Sequence, residues 1–197
     1  FADIVLNHRM GGDETEDVVA VSDDPENRNE QIEDEKVIRV WSKFNFAGRN
    51  GKYSTFKWNH THFTGTDWDE KTHAPGHVYR FLGKRWHRDV DPEWGNFDYL
   101  MGMNVDMDSP AVIRETKKWL EWYIRETHID GLRLDAVKHI SFAFYGKLLH
   151  HIRKATGIRR INRIFRDKEE LTLTSDLNET IENALNNSDF LIVICSL

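Results

Sequence analysis

The chain has 197 residues, of which 39% are hydrophobic and 30% are charged, and its formal net charge is −6. That composition is typical of a globular protein and excludes a disordered or fibrous one. The one cysteine, Cys195, excludes an intramolecular disulfide and a zinc site built from thiolates. The acidic balance argues against a nucleic-acid partner, and no apolar run reaches the roughly 18 residues of a membrane span.

Both ends of the chain resemble the interior of a protein. The first six residues, Phe1-Ala2-Asp3-Ile4-Val5-Leu6, predict a buried strand that leads into Asn7-His8. The last eight, Phe190-Leu191-Ile192-Val193-Ile194-Cys195-Ser196-Leu197, form an apolar run with nothing after it. We therefore expect truncation at both ends.

The segment after the first strand changes character twice. Residues 13–35 carry eleven acidic residues against one arginine, which predicts a solvated loop. Residues 41–100 are rich in Trp, Phe, Tyr, His and Gly without a steady period. This second stretch predicts an irregular, partly β subdomain.

Two helices and a strand are predicted next. Ser109 and Pro110 are typical of a helix start, and a helix over 109–127 has Val112, Thr116, Trp119, Leu120 and Tyr123 on one face. After a turn at Asp130-Gly131 a strand follows over 132–137, and Ser141 begins a helix whose apolar stripe is Phe144, Tyr145, Leu148, Leu149 and Ile152. Strand, excursion, helix, strand, helix is the order of an α/β protein with a parallel sheet or barrel.

Polar residues follow both predicted parallel strands, where such folds place their chemistry. Arg133 and Asp135 are two residues apart on a strand, so their side chains share a face. A guanidinium beside a carboxylate keeps it ionised, as a carboxylate nucleophile requires. The alternative is a structural ion pair at a strand end.

Two segments carry a family resemblance: Asp3-Ile4-Val5-Leu6-Asn7-His8 and Gly131-Leu132-Arg133-Leu134-Asp135-Ala136-Val137-Lys138-His139. They resemble signature motifs of the α-amylase family of retaining glycoside hydrolases, glycoside hydrolase family 13. Between them, Gly65-Thr66-Asp67-Trp68-Asp69 and Gly95-Asn96-Phe97-Asp98-Tyr99-Leu100-Met101 resemble the subdomain that bacterial liquefying-type members insert after the third strand. The resemblance covers about residues 1–157 and implies a partial (β/α)8 TIM barrel, with an inserted calcium-binding subdomain at about residues 9–108.

The resemblance also implies roles for individual residues. Asp135 is the expected nucleophile, and Arg133 holds it ionised. His8 is expected to hydrogen-bond the sugar in the cleavage subsite, and Lys138 and His139 to line the leaving-group side. Retention needs a second carboxyl group about 5–5.5 Å away, and the family's Glu has no counterpart in this chain. Glu169 and Glu170 lie in the charged run 166–170, which is not typical of a buried strand. We therefore expect the chain itself to be inactive.

A structural Ca²⁺ ion is implied by the same resemblance, since a hard cation prefers oxygen ligands. Its expected ligands are Asn7, Asp98, the position of Asn104, where many relatives carry Asp, and the backbone carbonyl of His139. The adjoining metals of liquefying-type enzymes are in doubt. Two of their carboxylate positions are Thr64 and His87, although Asp106 and Asp108 remain. The alternative for Asp98, Asp106 and Asp108 is ordinary turn carboxylates.

The aromatic and histidine side chains of the subdomain have two interpretations each. Trp58, Trp68, Trp86 and Trp94 are candidates for stacking on sugar rings, although each taken singly fits a core position better. His60 and His62 lie two apart, and without an evident third ligand they are interpreted as surface or cleft groups rather than a metal pair.

The last forty residues resemble a different family. Phe165-Arg166-Asp167-Lys168-Glu169-Glu170-Leu171, Ser175-Asp176-Leu177-Asn178 and Asp189-Phe190-Leu191-Ile192-Val193-Ile194-Cys195-Ser196 are similar to the second strand, a helix and the third strand of a bacterial TIR domain. This implies a flavodoxin-like TIR fragment over about 158–197. The family's NAD-cleaving Glu follows the third strand and has no counterpart here, so NAD cleavage is not expected. The family's first strand and helix are missing too, so a protein partner is not expected through this segment in truncated form. The alternative is a capped helix and buried strand of any α/β protein.

The sequence thus predicts a fragment of an α-amylase-type hydrolase that acts on α-1,4-glucans with retention of configuration. Two alternatives stay open: a glucan-binding or Ca²⁺-binding module without catalysis, and a TIR-based signalling or NAD-cleaving protein. The thinned metal cluster resembles cytoplasmic members of the family and favours a cytoplasmic location.

Overall fold

A computed structural model describes residues 2–156, 161–166 and 190–194, and for the last two segments it describes the path of the backbone. The strands and helices are, in chain order, β1 (Ala2–Ile4), β2 (His8–Arg9), β3 (Glu14–Asp23), β4 (Gln31–Lys43), β5 (Phe63–Thr66), β6 (Val78–Phe81), β7 (Met103–Val105), α1 (Pro110–Thr127), β8 (Gly131–Leu134), α2 (Phe142–Thr156), β9 (Ile161–Arg166) and β10 (Phe190–Ile194). They fall into two compact units.

The first unit contains residues 2–6, 116–137 and the described residues after 141. Its sheet has the order β1-β8-β10-β9, and all three pairings are parallel. Leu132 and Leu134 share one face of β8 and are fully buried, whereas Arg133 on the opposite face is half-buried. The predicted α/β class with a parallel sheet is confirmed, and β1 is shorter than the predicted strand over 1–6.

Both predicted helices are present. α1 begins at Pro110, and its buried residues are Val112, Thr116, Leu120 and Ile124. The predicted stripe of α2 is confirmed in full: Phe144, Tyr145, Leu148, Leu149 and Ile152 are all buried. Neither described helix is long and apolar enough to cross a membrane.

The second unit contains residues 7–115 and 138–141. Its six-stranded sheet has the order β2-β7-β5-β6-β3-β4, and all its pairings are antiparallel. Three 3₁₀ turns lie between the strands, at Ala47–Arg49, His60–His62 and Glu93–Gly95. The prediction of an irregular, partly β subdomain agrees with this arrangement.

The prediction of a solvated loop over 13–35 is wrong. These residues form most of the β3–β4 hairpin, because Val18, Ala20 and Val21 face the interior. Part of the acidic charge lies on the outward positions, where Asp17 pairs with Arg39 at 2.8 Å and Glu33 pairs with Lys36 at 2.5 Å. The charge count did not register the alternation of exposed and buried residues at positions 17–20, nor the buried end of β3 at 20–23.

The four candidate tryptophans divide evenly. Trp58 and Trp86 are buried in the aromatic core of the second unit, whereas Trp68 and Trp94 are 39% and 42% exposed. The core interpretation is therefore correct for the first two and wrong for the other two.

The C-terminal segment is described only in part. Ser175-Asp176-Leu177-Asn178, Glu169 and Glu170 lie outside the described residues. Phe165 and Arg166 end β9, and 190–194 form β10, which lies beside β9 in the sheet. The TIR-like segment and the boundary near residue 157 remain predictions.

Candidate functional site

Asp135 follows the last residue of β8, at the carboxyl end of a parallel strand. Its backbone N–H donates to the carbonyl of Ile4 at 3.0 Å, which continues the pairing of β8 with β1. The next residue, Ala136, has φ of 55°, a left-handed conformation that costs energy for any residue with a Cβ. The strand therefore ends in a strained turn at Asp135, and strain of this kind clusters at functional sites.

Arg133 holds two carboxylates. Its Nη2 lies 2.9 Å from Asp135 Oδ1, an ion pair in which Oδ1 receives no hydrogen bond from the described residues. Its Nη1 donates to Asp3 Oδ1 at 2.9 Å and to Asp3 Oδ2 at 3.1 Å. The Asp135 side chain is 16% exposed and that of Asp3 is 65% exposed. The predicted shared face of Arg133 and Asp135 is thus present.

Asp3 is a member of this cluster that sequence reasoning did not assign. The parallel register sets Asp3 opposite Arg133, so the two side chains leave neighbouring strands at the same level. Its signal in the sequence was a single acid inside an otherwise apolar run. Asp3 fixes the guanidinium from the far side and so orients it toward Asp135.

A buried hydroxyl belongs to the same unit. In the part of the chain that the structure describes, the Tyr145 hydroxyl has no hydrogen-bond partner. Burial raises the pKa of Tyr145, and the negative charge of Asp135 adds to that rise. The hydroxyl therefore stays protonated and is available as a donor.

In the second unit, three oxygens converge on the side chain of Asn7. Asn7 Nδ2 lies 3.2 Å from the Asp98 carbonyl, 3.3 Å from Asn104 Oδ1 and 3.1 Å from the His139 carbonyl. An amide nitrogen has two hydrogens for these three acceptors. The structure therefore brings together all four predicted calcium residues.

Asp98 supplies the carboxylate of this oxygen cluster. It is 3% exposed, and its Oδ2 accepts from the His87 backbone and from Asn104 Nδ2, each at 3.2 Å. Burial, with repulsion from Asp106 and Asp108, raises the pKa of Asp98 to about 7. Carboxylate, amide and carbonyl oxygens are the ligand types that Ca²⁺ takes, and in this structure the Asn7 amide presents Nδ2 to the other three residues.

The neighbouring carboxylates are paired with protein cations. Lys84 Nζ lies 2.5 Å from Asp106 Oδ2 and donates to the Thr61 carbonyl at 2.7 Å. Asp108 lies 3.4 Å from Arg85 Nη2 and 3.3 Å from His87 Nε2. Among the described residues, no group of three or more His, Cys, Asp or Glu side chains is arranged to hold a metal ion.

The three predicted sugar-contacting residues belong to the second unit, and each is held in place. His8 Nδ1 lies 3.3 Å from Asn7 Oδ1, and Lys138 Nζ donates to Glu93 Oε2 at 3.1 Å. His139 Nδ1 donates to the Phe97 carbonyl at 2.6 Å, and burial lowers the pKa of the His139 ring, so the ring is neutral.

A cavity of about 430 Å³ opens in the second unit, lined by Arg9, Met10, Asp67 and the indoles of Trp41 and Trp68, among others. Both indole Nε1 atoms donate to Glu70 Oε2 at 2.9 Å. Trp41 and Trp68 are 41% and 39% exposed, so one carboxylate fixes the edges of two accessible rings. Sequence reasoning missed Trp41, because its place in the alternation of β4 is an ordinary outward position.

Comparison with known proteins finds bacterial α-amylases. The α-amylase of Bacillus licheniformis is 44% identical over 194 residues, which are 96% of this chain and 36% of that protein. The α-amylase of Geobacillus stearothermophilus is 48% identical over 159 residues, 80% of this chain and 29% of that protein. The chain is similar to α-amylases.

A third relative differs in its described location. The cytoplasmic α-amylase of Escherichia coli is 41% identical over 157 residues, 77% of this chain and 31% of that protein. No family model matches the chain. Identities of 41–48% support a place for this chain in the α-amylase family, and the chain spans about a third of the length of these relatives.

Proposed function

We propose that this chain is part of an α-amylase-type retaining glycoside hydrolase acting on α-1,4-glucans, with Asp135 as its nucleophile. The observation that carries the proposal is the ion pair of Asp135 with Arg133 at the strained carboxyl end of β8. An ionised carboxylate in such a position is the group that retaining hydrolysis uses.

The proposed chemistry is a double displacement. An oxygen of Asp135 bonds to the anomeric carbon, the glycosidic bond breaks, and water later cleaves the glycosyl ester. The leaving oxygen takes a proton from a second carboxyl group, for which this chain has no matching motif. We therefore expect the 197-residue chain on its own not to hydrolyse α-glucans.

Substrate contacts are proposed for the second unit. His8, Lys138 and His139 present ring nitrogens and an ammonium to sugar hydroxyls. The accessible rings of Trp41 and Trp68 are suited to stacking on the apolar face of glucose. The indole N–H groups of both rings already donate hydrogen bonds to Glu70, which fixes the rings in place. A ligand cavity of a few hundred Å³ fits an oligosaccharide better than a polymer chain in bulk.

We also propose that Asn7, Asp98, Asn104 and the His139 carbonyl hold one Ca²⁺ ion. The ion supplies a positive charge that ties three distant segments of the chain together. It takes no part in the chemical step. The second candidate function is a glucan-binding or calcium-binding module that uses this site and has no catalytic activity.

The location of the protein and the role of its C-terminal segment complete the proposal. A cytoplasmic location draws on the name of the Escherichia coli relative. A TIR-like role for residues 158–197 rests on the sequence alone.

The nucleophile can be tested without the missing acid, because fluoride leaves without being protonated. We expect α-maltosyl fluoride carrying a 5-fluoro group to esterify Asp135, adding its glycosyl mass to the peptide around that residue. Asp135→Asn should take no label, whereas Asp130→Asn, a control at an exposed aspartate that precedes β8, should keep it. If the chain binds maltoheptaose but Asp135 takes no label, the hydrolase proposal is contradicted and the binding-module proposal remains.

A further inference from the structure

Trp94 has a backbone conformation that its residue type disfavours. Its φ and ψ are 56° and 29°, within the left-handed region, and the following Gly95 has φ of 75°. A bulky residue with positive φ is an outlier, and the cost persists only where the surroundings enforce it. The same indole is 42% exposed, so burial of the ring does not offset that cost.

The tip of the β3–β4 hairpin enforces this conformation. The backbone N–H of Arg28 donates to the Trp94 carbonyl at 3.0 Å, and Asn29 Nδ2 donates to the Gly95 carbonyl at 2.8 Å. A Cβ at Gly95 would lie 2.5 Å from Asn27 Oδ1, so the two segments are in close contact. The acidic hairpin thus acts as a clamp on residues 94–95.

Arg28 anchors the clamp from the inside. Its Nη1 donates to the Tyr99 carbonyl at 2.5 Å, and its guanidinium lies 5.1 Å from the Phe97 ring centre and 5.6 Å from that of Tyr99. Cation–π contacts and a charged hydrogen bond fix the hairpin tip over the segment that carries Trp94.

The Nε1 edge of the Trp94 ring is held by a hydrogen bond, while 42% of the residue is exposed. Trp94 Nε1 donates to Glu93 Oε1 at 3.1 Å, and Glu93 Oε2 accepts from Lys138 Nζ at 3.1 Å. Lys138 also lies 4.8 Å from the Phe97 ring centre. The result is a rigid aromatic surface beside a carboxylate and an ammonium.

We propose that Trp94 is a binding platform for a pyranose ring of an α-glucan on the leaving-group side, next to Lys138. The inference rests on the proposed function, which places Lys138 on that side. A sugar suits the surface because it offers an apolar face to the indole and hydroxyls to Glu93 and Lys138. The hairpin pre-organises the ring, so the strain is paid during folding and not on binding.

Binding of maltoheptaose by the full chain tests this proposal. Trp94→Ala should weaken the affinity by up to about tenfold, the range of one aromatic contact. Trp94→Phe should keep most of it, since a ring remains. Trp122→Ala is the matched control: that indole is 38% exposed on α1, and its loss should leave affinity unchanged.

A stability readout separates a binding role from a structural one. Trp94→Gly should melt roughly 2–4 °C higher than Trp94→Ala, because glycine relieves the left-handed strain. Both variants should lose affinity alike. Equal melting temperatures with unchanged affinity would overturn the platform.

Failure of this inference is distinguishable from failure of the proposed function. Unchanged affinity in Trp94→Ala with weakened affinity in Trp41→Ala removes the platform and keeps the glucan-binding protein. No maltoheptaose binding by the unmodified chain removes both.

Discussion

Two buried carboxylates of the second unit have opposite surroundings. Asp23 is 1% exposed and is held by Arg80 Nε at 2.6 Å, Arg80 Nη2 at 3.0 Å and Trp86 Nε1 at 2.8 Å. Asp98 is 3% exposed, and among the described residues it has hydrogen bonds from an amide and a backbone N–H but no salt bridge.

The two carboxylates differ in whether the described protein supplies a cation beside them. Around Asp23 the chain supplies its own positive charge, so that site is complete once folding is complete. Around Asp98 it supplies two neutral donors, the His87 backbone N–H and Asn104 Nδ2, while the charges of Asp106 and Asp108 oppose ionisation of Asp98. The charge of Asp98 can therefore be relieved by a proton, since its pKa is raised to about 7, or by the Ca²⁺ ion proposed above.

The largest effect should come from breaking the completed site. Arg80→Met leaves Asp23 buried without its counter-charge, which should cost about 3–5 kcal/mol of unfolding free energy. Urea unfolding of the variant measures the loss. The double variant Arg80→Met/Asp23→Asn should recover a substantial part, and no recovery would mean that Arg80 acts through packing alone.

The next effect concerns Asp98 and should depend on calcium. Ca²⁺ at a hundred times its dissociation constant should stabilise the unmodified chain by about 2.7 kcal/mol, seen as a higher melting temperature than in chelator. Asp98→Asn should lose this response. A response to Ca²⁺ that survives Asp98→Asn would contradict the comparison of the two carboxylates.

Lys84 tests a mixed case, because it is a protein cation beside the oxygen cluster. Lys84→Met leaves Asp106 without its ammonium and should cost about 1–3 kcal/mol. The cost should largely disappear in Lys84→Met/Asp106→Asn, since the unpaired charge is then gone. Additive losses in the double variant, measured by the same urea titration, would deny the coupling.

The smallest effect is expected on the outer face of the hairpin. Lys36→Met breaks the exposed ion pair with Glu33, and surface pairs contribute about 0–1 kcal/mol. Its urea midpoint therefore sets the baseline for the losses in Arg80→Met and Lys84→Met. A loss as large as that of Lys84→Met would mean that exposure does not separate these pairs.

Local sequence patterns predicted the elements with short-range causes. Pro110 marks the start of α1, and the spacing of Phe144, Leu148 and Ile152 fixes the buried face of α2. The two-residue spacing of Arg133 and Asp135 put both side chains on one face of β8. Each of these features depends on residues that are only a few positions apart in the sequence.

The same reasoning failed where long-range pairing decided the outcome. The acidic segment 13–35 pairs as a hairpin because its inward positions find a core, and charge count does not register that. Tryptophan is a residue type that usually lies in the core, and by type alone Trp41, Trp68 and Trp94 are indistinguishable from buried residues. Their exposure depends on which sheet face and which turn they occupy.

By itself the sequence determined the α/β class, both helices and the Arg133–Asp135 pair, and its family resemblance named the residues of the proposed calcium site. Only the tertiary structure decided that Asn7 meets oxygens from Asp98, Asn104 and His139, residues that are 91, 97 and 132 positions away. It also decided that Arg133 pairs with Asp3 as well as with Asp135, and that Asn29 Nδ2 donates a hydrogen bond to the Gly95 carbonyl. Contacts of this range depend on strand order and register, which are set by the burial of the whole unit and not by any local pattern.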